Sequence, residues 1–494
     1  MESTCSNSAD VVLTWPNFDG LFSPDFLNST LLADEDVEAG KNLQNVGQRT
    51  ELTSGRAVNY EDAPVLVDRF LAFVHTKNPI LNVPEVRIYA RRLAEEGPLW
   101  DAPSCLVLLA LRWYNAGTPQ TIGPDEANIQ VAERYYEIAR RRFGLLRQTL
   151  ITVQCYVLSG IYLMYTLQPF KGWNEFLQAF INLDMYLSRQ KAAAHGSNNS
   201  QRSDTTRVEQ RLYWTFFKSE CEIRQEIHVP ESGLSNITYP YLFPSPPTPS
   251  SPVINAQTVS SFTSMQASPN STVSGPQIIG FSEQQSWFYY LTEITLARID
   301  NRILKAFYQS DHMGWATLVL PDAVQMAEHF EHEITEIYNN MPEAISFDCD
   351  SDDQSLIELR HMVKGRCNNV RLHLYLPFLY YMIHHGHETS LEIQSMLQPW
   401  VDRGLRHLIE SSSLEGYTHR HHGTWYYNDD LGIEGAIPGG TEPWWELFDC
   451  DEDPLELLNI YHDPKYKDVV KEMTELLETK MMEIGDVTLH PRFQ

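Results

Sequence analysis

From Pro64 onward, apolar residues recur every three or four positions, the spacing of helices that bury one face. The pattern predicts helices over 64–74 and 85–96. A third opens at Pro103, runs through Cys105 to Tyr114 and stops by Gly117, with Pro119 beyond. Proline just inside a helix start and glycine just past its end are the usual punctuation. Another helix starts at Gly123–Glu126 and ends near Gly144, and three more cover 147–168, 173–190 and 206–227. Helices resume at 285–309, 320–340, 353–385 and 390–412. No sustained alternation of period two interrupts them, so the body reads as all-α.

Three stretches break this rhythm. Residues 1–60 are polar and mixed, and their composition predicts a disordered N-terminal segment. Within it, Trp15, Phe18, Leu21, Phe22, Phe26 and Leu27 stand among Asp10, Asp19, Asp25 and Asp34. That mixture reads either as an activation-type segment or, more plainly, as a tether that docks on the core. Pro240 to Gln284 is rich in Pro and Ser and nearly uncharged, too polar to offset its ordering entropy, and is expected to be a flexible linker. From Tyr426 to Asp453, turn residues surround short aromatic segments, the pattern of strands and turns. A last helix over about 465–484 carries Val469, Met473, Leu476, Leu477, Met481 and Ile484 on one face.

One window is long and apolar enough to be weighed as a membrane span. Thr149 to Leu167 has no charge, but it holds Gln154, Ser159, Gly160 and three tyrosines, with Arg147 close by. A buried core helix is the better expectation. No basic, then apolar, leader opens the chain, so no signal peptide is expected.

Composition narrows the function classes. The chain has 494 residues, 43% of them hydrophobic, enough for a large core. It carries 65 acidic and 37 basic residues, a formal net charge of −28. Such a chain is repelled by nucleic acid at long range unless a local basic module compensates, and no such module is evident. Arg87, Arg91, Arg92, Arg134, Arg140, Arg141, Arg142 and Arg147 gather in one region but fall largely on outward helix faces, as a solvated surface would place them.

Candidate chemistry is sparse. Cys5, Cys105, Cys155, Cys221, Cys349, Cys367 and Cys450 are scattered and never spaced C-x-x-C. They read as reduced, buried thiols, not as disulfides or a metal site. Histidines cluster at His384, His385 and His387 and at His419, His421 and His422, and His329 and His332 lie three apart on a helix. None has the H-E-x-x-H arrangement. Phosphate-binding loops and nucleophile elbows are absent, and the runs Asp348–Asp353 and Asp449–Asp453 read as solvated loops. No catalytic, cofactor-binding or metal-binding residue is therefore expected, and no cofactor.

Two stretches resemble known families. In order along the chain stand Phe73 to Leu81, Gly97 to Ala110, Arg211 to Trp214 continuing through Glu220, Glu222 and Glu226 to Pro230–Leu234, then Arg366, Asn369, Arg371 and Leu376–Pro377, then His421 to Trp425. Together these resemble the fungal-specific transcription factor domain, the helical region downstream of binuclear zinc-cluster DNA-binding domains. The central motif also has a plain physical reading. Leu212, Trp214, Phe216, Phe217, Cys221 and Ile223 form an apolar face, Arg211, Glu220 and Glu222 offer pairing partners, and Pro230 and Gly233 end the helix. The second resemblance covers 426–494. Glu442 to Asp449, Asp453 to Glu456, Asn459 and His462 to Tyr466 look like the C-terminal subdomain of a sulfatase, a small sheet with a closing helix, without the C/S-x-P-x-R nucleophile motif.

The expected organisation follows: a disordered segment 1–60, a helical regulatory domain in two parts, 61–239 and 285–425, a linker 240–284 between them, and a small α+β sulfatase-like fragment 426–494. The first resemblance implies a nuclear transcription regulator, not an enzyme, controlling a secondary-metabolite gene cluster as relatives do. Residues 1–60 hold only Cys5, Lys41, Arg49 and Arg56 where the family carries six cysteines in a basic segment. DNA is therefore expected to be reached only through a DNA-binding partner, with a homo- or heterodimer left open and no membrane contact. The alternative is a non-functional fusion or truncated remnant of a regulator and a sulfatase, joined near Trp425, with no catalytic activity.

Overall fold

The structure, a computed structural model, describes residues 15–18, 21–22, 59–113, 126–166, 168–194, 203–237, 239–246, 282–308, 312–343, 345–346, 354–412, 464–467 and 469–471. The chain divides into two compact units, residues 1–436 and 437–494. In the first unit the helices are α1 (Ala63–Phe70), α2 (Val83–Glu96), α3 (Ala102–Leu111), α4 (Glu126–Arg140), α5 (Leu150–Tyr165), α6 (Pro169–Ala194), α7 (Ser203–Glu226), α8 (Glu283–Phe307), α9 (Leu320–Asn339), α10 (Gln354–His385) and α11 (Leu391–Ser412). A π-turn, Leu71–His75, extends α1, and a single turn, His312–Trp315, precedes α9. The described part is mainly helical and contains no strand. Of the second unit, a 3-10 turn, Pro464–Tyr466, and a few helical residues after it are described. The strand-and-turn pattern of 426–453 and most of the predicted last helix lie outside the described residues.

The helices start where short polar side chains can cap them. Asp101 accepts the Ser104 N–H at 2.9 Å at the head of α3, and Asn82, Thr149 and Ser282 cap α2, α5 and α8 in the same way. The helix α3 is apolar all round, and Ser104 through Leu111 are all buried. The uncharged window of the sequence becomes α5, whose Thr152–Met164 are buried apart from Tyr156. No helix among the described residues is long and apolar enough to cross a membrane.

Two hydrophobic cores form in this unit. The first gathers side chains of α1 to α7. The second gathers α9, α10 and α11 with the turn at Trp315. They share α8. Its Tyr290, Ile294 and Ala297 face the first core. Its Tyr289, Leu296, Ile299, Ile303 and Leu304 face the second. Each fully buried aliphatic or aromatic side chain contributes roughly 1.5–3 kcal/mol, so a helix feeding two cores ties them thermodynamically.

Three edges differ from the sequence expectation. Residues 240–246, placed in the linker, pack back on α7: the Phe243 ring stacks 6.0 Å from Trp214, and Ser245 N–H donates to Gln210 at 2.8 Å. Aromatic burial there outweighs the Pro/Ser composition around it. Trp15 docks into the second core, as the tether reading expected. Arg142, read as outward, is buried and donates to the carbonyls of Pro98, Leu99 and Ile138. A helix C-terminus leaves carbonyls unpaired, and a guanidinium with five N–H donors can satisfy several at once.

Candidate functional site: a buried polar seam

One face of α7 carries Arg211, Thr215, Lys218, Glu222 and Gln225, the spacing i, i+4, i+7, i+11, i+14 that lines one side of a helix. This stripe faces inward. Arg211 Nη2 lies 2.8 Å from Glu283, Thr215 Oγ1 lies 2.9 Å from the Tyr290 hydroxyl, Lys218 Nζ lies 3.7 Å from Glu293, and Gln225 Nε2 donates to Asp300 at 2.7 Å. The partners climb α8 in the same order, so the two helices run parallel with polar rungs between them. Lys218, Glu293 and Asp300 are almost fully buried.

The helix α10 closes the seam. Arg366 pairs with Glu222 and reaches Glu293 at 3.6 Å, while His373 Nδ1 lies 2.8 Å from the second oxygen of Asp300. Farther along, Arg371 and Tyr375 hold opposite oxygens of Glu331 on α9, at 3.2 and 2.6 Å. A buried ion costs several kcal/mol unless its lone pairs and protons are matched. Here each named carboxylate meets a cation, an amide or an imidazole.

The other end of the seam meets the irregular segment after α1. Gln154 of α5 donates to the Ile80 carbonyl at 2.8 Å, Arg211 to that of Pro79 at 3.3 Å, and Ser286 of α8 to that of Thr76 at 2.7 Å. Leu81 N–H donates to His75 Nε2 at 3.0 Å. Full burial, aided by nearby Arg211, holds the His75 imidazole down to about 3. Three motifs quoted from the sequence, Phe73–Leu81, Arg211–Glu226 and Arg366–Pro377, thus converge on one seam.

Glu220, offered by the sequence as a pairing partner, turns away from this stripe. It accepts from the backbone and hydroxyl of Ser232 at 2.8 and 2.6 Å, and burial raises its carboxyl. It borders a crevice with Trp173, Phe176, Phe216 and Ser219 too narrow to admit a water molecule. Gly233, at φ 88°, makes the left-handed turn that brings Ser232 back under Glu220.

The histidines disperse. His384 packs against Tyr380, His387 pairs with Glu388 at 3.5 Å, and His329 pairs with Glu333 at 2.9 Å. His419, His421 and His422 lie outside the described residues, as do both acidic runs. Among the described residues no group of three or more His, Cys, Asp or Glu is placed to hold a metal ion. Cys105, Cys155, Cys221 and Cys367 are buried free thiols; burial raises Cys367 to about 12. Of the clustered arginines, Arg87 pairs with Asp68, Arg92 with Asp101 and Arg140 with Glu175.

Sequence pattern alone leaves out Thr215, Lys218, Gln225, Glu293, Asp300 and His373. It also leaves out Arg112, buried over the Tyr136 and Tyr162 rings with Glu133 at 3.1 Å and pulled by burial down to about 10. The signal for the seam was the stripe on α7, matched by Ser286, Tyr290, Glu293 and Asp300 on α8. What the arrangement can do is fix the register of α7, α8 and α10 and transmit a shift of one to the others; among the described residues it opens on no ligand-sized cavity. Compared with known proteins, the chain matches no family model, no curated protein and no solved structure.

Proposed function

We propose that this chain is a nuclear transcription regulator of the fungal-specific type, not an enzyme, that lacks a DNA-binding head of its own and acts through a DNA-binding partner. The observation that carries this reading is the convergence of three resembling motifs, far apart in sequence, on one buried seam, as in Arg366 pairing with Glu222. A motif set distributed over hundreds of residues makes physical sense when its members meet. The net charge of −28 supports indirect contact with DNA, and the pairing of Arg87, Arg92 and Arg140 with carboxylates leaves that group poorly suited to phosphates. Control of a secondary-metabolite gene cluster, and association as a homo- or heterodimer, extend the same reading.

Deleting the gene and measuring transcripts of its neighbours tests the proposal. Altered expression of a contiguous set is the expected result, and unchanged expression counts against it. The tail favours a second reading. Glu442–Asp449 and His462–Tyr466 resemble a sulfatase's C-terminal α+β subdomain, so the chain would be an inactive fusion of two remnants. Sequencing the transcript across residue 425 separates the two, since a fusion requires an uninterrupted message there. Under either reading the purified chain turns over no aryl sulfate, because no C/S-x-P-x-R nucleophile is present.

A further inference from the structure

Trp15 sits far from the helices in sequence yet is only 6% exposed. Its ring packs edge-to-face against Tyr380 at 5.1 Å, His384 at 6.0 Å and Trp315 at 6.3 Å. The walls of this pocket hold one another without it. Trp315 Nε1 donates to the Phe307 carbonyl at 2.7 Å, its ring meets Tyr308 at 4.9 Å and Tyr380 at 5.4 Å, and Tyr380 in turn meets His384 at 4.5 Å. The occupant is held far less firmly. The hydrogen bonds described for its segment, Phe18 N–H to Trp15 at 2.8 Å and Leu21 N–H to Phe18 at 2.9 Å, close on the segment itself. The indole N–H of Trp15 is buried with no hydrogen-bond partner.

These facts set a pre-organised pocket against an imperfect occupant. Burying an aromatic ring is favourable, but ordering a short segment of chain costs a comparable amount. The orphaned N–H subtracts further from the fit. A ring of the same shape with no proton to donate would fit the same walls without that penalty.

We propose that the pocket formed by Trp315, Tyr380 and His384 is a binding site for a small planar aromatic molecule, and that Trp15 is its exchangeable plug. A ligand that enters displaces Trp15 and frees the segment through Phe22. The acidic, aromatic character of that segment would then be presented to solvent, which makes the site a ligand-controlled release. This inference is independent of the transcriptional reading.

The test uses the full chain and Trp15→Ala, with benzofuran and indole as probes. They share a bicyclic shape, and only indole carries the N–H. Calorimetric titration is expected to show one equivalent of benzofuran bound by Trp15→Ala at least about tenfold tighter than by the unaltered chain, where the plug competes. Indole should bind several-fold more weakly than benzofuran. In the unaltered chain, saturating benzofuran should speed chymotryptic cleavage between Phe18 and Phe22 by about fivefold or more. The proposal is overturned if Trp15→Ala binds benzofuran no better than the unaltered chain, or if benzofuran leaves the cleavage rate unchanged. It is equally overturned if Trp15→Ala loses the cooperative helical melt, because Trp15 would then be a structural part of the core.

Discussion

At the scale of residues, the structure is governed by how buried polar groups are satisfied. Pro377 lies inside α10 and has no N–H, so the carbonyl four residues earlier, on His373, loses its helical donor. The Tyr308 hydroxyl donates to that carbonyl at 2.8 Å. Arg366 shows the same logic with charges. Removing it leaves Glu222 without that partner and Glu293 with Lys218 at 3.7 Å. Arg366→Ala should therefore cost about 3–5 kcal/mol. Arg366→Met combined with Glu222→Met should recover much of the loss, with a coupling above about 1 kcal/mol in a double-mutant cycle. Urea unfolding measures both, and simple additivity would show that the pair does not interact.

His75 makes the stability of the fold depend on pH. Its imidazole is held to about 3 in the folded chain, whereas an exposed imidazole titrates near about 6.5. The folded state keeps it neutral and the unfolded state protonates it. Its contribution is thus complete above the unfolded value and is lost as pH falls toward 3. Between pH 7 and pH 5 the loss from this group is about 2 kcal/mol. Relative to His75→Gln, the unaltered chain should lose that much more stability over the interval, read from urea midpoints at the two pH values. Parallel pH profiles would contradict the assignment.

At the scale of elements, helix periodicity was legible because apolar positions repeat at the helical period and because caps and prolines mark the ends. The uncharged run 149–167 illustrates both, becoming the buried α5 with Thr149 as its cap. What period could not reveal is the polar stripe of α7. Lys218 or Glu222, taken singly, reads as a solvent-facing residue until its partners on α8 and α10 are known. The composition rule also misled at 240–246, where a few aromatic residues outweigh their Pro and Ser neighbours.

The packing of α5 on α6 depends on glycine at a close approach. A Cβ at Gly160 would stand 3.0 Å from the buried Phe176 ring, and one at Gly172 only 3.2 Å from the Gly160 carbonyl oxygen. In an unobstructed helix, replacing glycine by a larger residue raises stability. Here Gly160→Val should lower it by about 1–3 kcal/mol through overpacking, seen as a lower thermal midpoint. A raised midpoint would mean the helices have room to part.

At the scale of the whole molecule, the first unit is two cores joined by a shared helix and a charged seam. The resemblance-bearing motifs were visible in sequence, but their meeting place was not, because contacts such as Glu222 with Arg366 span 144 positions. The halves are connected in sequence through 247–281, and the rungs between α7 and α8 connect them in space. Covalent continuity through 247–281 should then be dispensable once the chain has folded. A protease site placed within 255–275 and cut after folding tests this directly. The account predicts that the two fragments elute together at the mass of the intact chain and melt in one transition. Fragments that separate on the column without denaturant would contradict it.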